Sequence, residues 1–136
     1  MDIKQFAVGQ SASMSKTVSE YDVYSFAGIT GDFNPAHVNE AYAATTPFKK
    51  RIAHGMLSAG FVSAVLGTKL PGAGSIYAGQ TMKFLSPVYI GDTITATATI
   101  EEIIPEKRRI KLSTVCTNQD GVQVIVGEAN MYIPKD

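Results

Sequence analysis

The chain has 136 residues, a formal net charge of zero, 45% hydrophobic and 18% charged residues, and one cysteine. A chain of this length makes one domain with a real core, and its balanced charge removes the electrostatic reason to expect nucleic acid or an anionic membrane as the main partner. The lone Cys116 excludes an intrachain disulfide and suits a reducing compartment.

Taken in chain order, Ser13–Val18 reads as a short strand. Ser19-Glu20-Tyr21-Asp22 fits a capping box, with Asp in place of Glu, and opens a helix through about Gly28 that the Gly28/Gly31 pair ends. A second short helix is expected over Val38–Ala44, closed by Pro47. The third runs from about Gly55 to Leu66. Met56, Leu57, Phe61, Val62, Val65 and Leu66 give it apolar surface on several sides, which predicts a buried helix, and Ala59, Gly60 and Ala64 allow close packing against it. After Leu70-Pro71-Gly72-Ala73-Gly74 the pattern becomes strand-like over Ile76–Leu85, Thr93–Ile104, Arg109–Asn118 and Val122–Ile133. In the second of these, Ile94, Ala96, Ala98 and Ile100 alternate with threonines, a period of two. Asn118-Gln119-Asp120-Gly121 predicts a hairpin turn. Helices first and antiparallel strands after predict an α+β plan, a sheet wrapped around a central helix, with residues 1–136 as a single domain.

The chemistry concentrates at Gly31-Asp32-Phe33-Asn34-Pro35-Ala36-His37, which holds one of only two histidines. A carboxylate and an imidazole brought together at a tight turn can share one water and move its proton. The same residues also suit a plain turn, with Asp32 and Asn34 as caps and Pro35 opening a helix. Spacing alone leaves both readings open.

Three motifs, in order, resemble the MaoC-like family of hot-dog-fold hydratases and dehydratases, and especially its short, single-domain (R)-specific enoyl-CoA hydratases. They are Gly31–His37 as G-D-x-N-P-x-H, Ile52-Ala53-His54-Gly55-Met56-Leu57 at the entry to the third helix, and Phe84-Leu85-Ser86-Pro87-Val88-Tyr89-Ile90-Gly91-Asp92-Thr93 as strand, break and strand. The resemblance covers essentially the whole chain. It implies a hot-dog fold and reversible hydration of trans-2-enoyl-CoA to (R)-3-hydroxyacyl-CoA. Asp32 and His37 would hold the water, Asn34 would orient the turn, and the Gly55 amide would receive the thioester oxygen. No cofactor is implied, since coenzyme A enters as part of the substrate. If the thioester sits at Gly55, helical spacing sets Ala59, Ser63 and Leu66 beside the acyl chain, with Met131 on the last strand as a further wall. His54 reads as a structural, hydrogen-bonded histidine. The resemblance also implies a homodimer with coenzyme A contacts from both subunits.

Of the basic runs, Lys49-Lys50-Arg51 lies just before Gly55 and is the better placed to meet coenzyme A phosphates; Lys107-Arg108-Arg109 is the other. Two histidines and one cysteine stand in no metal-ligand spacing, so no metal is expected. The start Met1-Asp2-Ile3-Lys4 predicts no secretory signal, and the Met56–Leu66 stretch is too short to span a bilayer, so a cytoplasmic location is expected. A hot-dog acyl thioesterase and a non-catalytic acyl-thioester-binding module are the competing readings. The first needs attack on the thioester carbonyl rather than on C3, and the second needs neither Asp32 nor His37.

Overall fold

The computed structural model describes every residue from Met1 to Asp136. Its elements are β1 (Ser11–Thr17), α1 (Glu20–Thr30), α2 (Pro35–Val38), α3 (Glu40–Ala43), α4 (Gly55–Thr68), β2 (Ile76–Phe84), β3 (Thr93–Ile104), β4 (Arg109–Thr117) and β5 (Gln123–Tyr132). The strands form one antiparallel sheet in the order β1-β3-β4-β5-β2. Helix α4 packs against β1, β2, β3 and β4, so the sheet curls around one helix. This is the hot-dog arrangement.

The alternation in β3 does what a period of two dictates: Ile94, Ala96, Ala98 and Ile100 are buried against α4 while the intervening threonines stay partly exposed. On β4, Ile110, Leu112, Thr114 and Cys116 do the same. Fully buried Val62, Val65 and Leu66 of α4 complete one core with these residues. The helix itself departs from expectation. Ser58, Ala59, Phe61, Val62, Val65 and Leu66 are buried, but Met56, Gly60, Ser63 and Gly67 form an exposed stripe. The sheet covers only one side of α4, so an all-round apolar sequence does not become an all-round buried helix within one chain.

The capping box is formed at the start of α1. The Asp22 amide donates to Ser19 Oγ at 3.1 Å, and Ser19 N–H donates to Asp22 Oδ2 at 2.9 Å. Helix α1 runs through Gly28 to Thr30. Gly31 is the residue that turns left-handed (φ 83°), its amide closing on the Ala27 carbonyl at 2.8 Å, a position that favours glycine. The single helix expected over Val38–Ala44 is instead two one-turn helices. Asn39 leaves helical geometry (φ −124°, ψ 105°), ends α2, and caps α3 through its side chain, which accepts from the Tyr42 amide at 3.0 Å.

Burial alone would push the Asp22 carboxyl up; the Lys16 ammonium and the Ser19 amide and hydroxyl outweigh it and hold it below the ordinary carboxylate range. A carboxylate depressed on folding stabilises above its unfolded value and loses that contribution as pH falls through the folded one. Asp22→Ala is therefore expected to lower stability by about 0.3–1 kcal/mol at pH 7, the usual worth of a screened carboxylate in the first helical turn. In urea titrations the gap from wild type should narrow under acid, below the ordinary carboxylate range. A pH-independent gap would show that the charge of Asp22 contributes nothing.

Candidate active site

The segment after α1 is a chain of side-chain-to-backbone turns. Thr30 Oγ1 accepts from the Asp32 amide at 3.2 Å, Asp32 Oδ1 from the Asn34 amide at 3.2 Å, and Asn34 Oδ1 from the Ala36 amide at 3.0 Å. Asn34 is the N-cap of α2 and Pro35 its first residue. Asp32 and Asn34 thus do build the turn. Asp32 does so with one oxygen of an exposed carboxylate, so a second oxygen is left to other work.

One turn of helix later, His37 is half-buried, and its Nδ1 lies 2.7 Å from the carbonyl oxygen of Ile52. That carbonyl is held firmly: the Ile52 amide donates to Ala36 O at 3.2 Å, and Ile52 bridges to Tyr89. A carbonyl only accepts, so Nδ1 carries the hydrogen. The Nε2 of neutral His37 is then the acceptor, which is the form a general base needs.

His54, 2% exposed, has a different task. Its Nε2 donates to the main-chain oxygen of Asp32 at 2.9 Å, and its ring lies 4.7 Å from Phe26 and 3.9 Å from His37 between centroids. It clamps the backbone that carries Asp32 and packs under His37. Asp32, His37 and His54 each bring one potential ligand atom within 4.8 Å of the others. The two imidazole planes are tilted by 32°, and one nitrogen of each is already bound to a main-chain oxygen, His37 Nδ1 to Ile52 and His54 Nε2 to Asp32.

A cavity of about 450 Å³ opens beside this turn, with nine hydrophobic residues among the fourteen that line it. His37 and Gly55 both face it. Gly55 is the first residue of α4, where amides lack helical partners and the dipole is positive. A Cβ built on Gly55 would lie 2.6 Å from the Phe84 ring, so glycine lets that aromatic wall close over the helix start. Phe84, Leu85, Val124 and Ile125 supply the opposite wall, brought together where the end of β2 pairs with the start of β5.

Ala59, Ser63, Leu66 and Met131 are not on this wall. Ala59, Leu66 and Met131 are 7%, 0% and 1% exposed in the core, and Ser63 is on the open face of α4. Sequence reasoning missed Phe84 and Leu85 as wall residues, although the strand-break motif pointed at their position, and it missed Val124, Ile125 and Ser58 altogether.

Within the first basic run, Arg51 is tied to Glu20 and to the Tyr24 hydroxyl, and Lys50 sits 4.9 Å over the Tyr89 ring. In the second, Arg108 donates to the Ile133, Pro134 and Met1 carbonyls, and Arg109 lies 5.2 Å from the Tyr132 ring. Most of these cations have structural partners. Burial pushes the Cys116 thiol up to about 11, so it remains protonated near neutral pH and is no nucleophile.

Comparison with known proteins adds to this geometry. A family model for the MaoC like domain matches residues 5–123. The chain is 60% identical to an (R)-specific enoyl-CoA hydratase of Rhodospirillum rubrum over 133 residues, covering 98% of this chain and 90% of that one. It is 49% identical to a 3-hydroxybutyryl-CoA dehydratase of Methylorubrum extorquens, covering 94% of this chain and 81% of that one. Among solved structures, the (R)-hydratase from Aeromonas caviae superposes with a TM-score of 0.93 at 41% identity, covering 96% of this chain and 99% of that one.

Proposed function

This chain belongs to the MaoC-like domain family, and from that premise we propose that it is a hydro-lyase that hydrates trans-2-enoyl-CoA to (R)-3-hydroxyacyl-CoA and reverses the reaction. The observation that carries the reading is the His37 Nδ1 bond to the Ile52 carbonyl. It leaves Nε2 as a free base on a residue that lines the cavity together with Gly55, while Asp32, outside that wall, brings a carboxylate oxygen within 4.8 Å of the His37 ring.

A water held by Asp32 and His37 attacks C3. The new C3–O bond forms as the C2–C3 π pair shifts toward C2 and the thioester oxygen, which becomes an enolate oxygen. His37 Nε2 takes the water proton. The enolate collapses as C2 takes a proton from the same pair of groups, so the balance is one water added and no cofactor consumed. The Gly55 amide would meet the enolate oxygen where charge develops. Asn34 holds the turn that sets Asp32 and His37 relative to each other. Coenzyme A is part of the substrate, and the apolar cavity takes the acyl chain.

Incubation with crotonyl-CoA tests the reading. Loss of the enoyl absorbance without free thiol supports hydration. Free thiol would make the protein a thioesterase, and no change at all would leave only a binding module.

The two sheet edges differ, and this supports a homodimer. Edge strand β1 shows mostly Ser, Lys and Thr, whereas edge strand β2 exposes Ile76 (51%), Tyr77 (38%) and Phe84 (53%). An unpaired apolar edge invites pairing, and a second copy would also cover the open stripe of α4. Light scattering at micromolar concentration is expected to give twice the chain mass; a monomer would overturn this assembly and with it the sharing of coenzyme A between subunits. No helix is long and apolar enough to cross a membrane.

A further inference from the structure

Ser58 is 1% exposed, and its hydroxyl has no hydrogen-bond partner. That is unusual inside a helix, where a hydroxyl ordinarily bonds back to the carbonyl four residues earlier. Two threonines of this protein do so: Thr30 donates to Phe26 O at 2.7 Å and Thr68 to Ala64 O at 2.6 Å. Ser58 does not. The Cys116 thiol 3.7 Å away meets the Ser58 carbonyl and leaves the hydroxyl unused. A buried donor without an acceptor is destabilising, and such groups in native proteins ask for an explanation.

Its place in the cavity offers one. Ser58 lines the same cavity as His37 and Gly55, and His37, Ser58 and Ser86 are the only side chains with polar groups among the fourteen on that wall. Ser58 stands three residues after Gly55, hence on the same face of α4. Side chains on a helix lean toward its N-terminus and cover the turn before their own Cα, and for Ser58 that turn is the one Gly55 opens. His37 cannot donate at Nε2 while it serves as base. Oxyanion sites work by placing preorganised donors where charge develops, and here a helix-start N–H and an unpaired O–H belong to two residues that line one cavity.

We propose that the Ser58 hydroxyl donates a second hydrogen bond to the thioester oxygen of the substrate, beside the Gly55 amide. This rests on the hydratase reading. The hydroxyl is left unpaired in the free protein because its acceptor arrives with the substrate, and the bond strengthens as that oxygen becomes the enolate. Ser58 would therefore act as a catalytic residue, touching the reacting group.

Ser58→Ala and Ser58→Thr, assayed with crotonyl-CoA and by thermal melting, test this. Ser58→Ala is expected to lower kcat by about 10²-fold with KM changed only a few-fold. Its Tm should equal or exceed that of wild type, because no native hydrogen bond is lost. Ser58→Thr, which keeps a hydroxyl, should retain most of kcat. If the alanine variant folds poorly, Ser58→Cys, near in size but a weak donor, should show the same fall in kcat. A kcat for Ser58→Ala within threefold of wild type would overturn the proposal. So would a fall in kcat matched by a lower Tm and shared by Ser58→Thr, which would mark a packing role. If wild type itself leaves crotonyl-CoA unhydrated, the reaction fails and this role with it. Hydration by wild type with an unaffected Ser58→Ala removes only the role of Ser58.

Discussion

His37→Ala and Asp32→Asn are each expected to lower kcat for crotonyl-CoA hydration by at least about 10²–10⁴-fold, the usual contribution of a general acid or base. The two substitutions isolate chemistry from folding in different ways. In Asp32→Asn, the new amide oxygen can still accept from the Asn34 amide, as Asp32 Oδ1 does at 3.2 Å, so the turn is kept while charge and basicity go. His37→Ala also frees the Ile52 carbonyl, which His37 Nδ1 meets at 2.7 Å. That should lower stability by about 1 kcal/mol, too little to unfold a domain of this size. Because both side chains handle one water, the double variant should lose far less than the product of the single losses. His54→Gln is the control. A glutamine amide can still donate to the Asp32 main-chain oxygen, so turnover should fall much less than in the other two. Near-normal turnover in either Asp32→Asn or His37→Ala, with the fold intact by circular dichroism, would remove the mechanism.

What was legible in the sequence was what local rules write. The Ser19–Asp22 box needs only four residues to agree, and it forms as read. The threonine alternation of β3 fixes which face is buried, whatever the rest of the chain does. All five strands stand within two residues of their expected bounds. Local reasoning failed at Asn39, where one side chain ends α2 and starts α3; a window over Val38–Ala44 sees good helix formers and no breaker as strong as proline. The site is less legible because its decisive contacts join distant segments. The state of His37 is set by a carbonyl fifteen residues away, and the wall over Gly55 comes from Phe84. Ser58 reads in sequence as an interruption of an apolar run; only its lack of a back-bond distinguishes it. The open stripe of α4 escaped because a sequence shows that a helix is apolar, not which side its own chain can cover.

Among the glycines, Gly127 is the position where an added methyl should damage this protein most. Gly127 lies in β5 between Met82 of β2 and Thr114 of β4, on the face it shares with Ile125, Ala129 and Met131 by the period of two. A Cβ at Gly127 would sit 2.0 Å from the Thr81 carbonyl oxygen and 2.9 Å from the Met82 Cα. Both are main-chain atoms, so no rotamer change relieves the clash; β2 must move. By contrast, a Cβ at Gly55 meets only a side-chain ring, which can swing aside. Overpacking a core typically costs about 1–3 kcal/mol and occasionally more, and here the loss of β2 pairing adds to it, so the expected destabilisation is at least about 3 kcal/mol. The consequence reaches function through position. β2 ends at Phe84, which with Leu85 walls the cavity opposite His37 and Gly55, and β2 is the apolar edge on which a second copy would pair. Urea denaturation should show the stability loss. Proteolysis under native conditions should cut first within β2 or the loop after it, and hydration of crotonyl-CoA should fall even where the remaining sheet is folded. A stability within about 1 kcal/mol of wild type, no more than the bottom of that overpacking range, would mean that β2 can slide away from Gly127 without losing its pairing, and the close approach of the two strands would then not constrain the site.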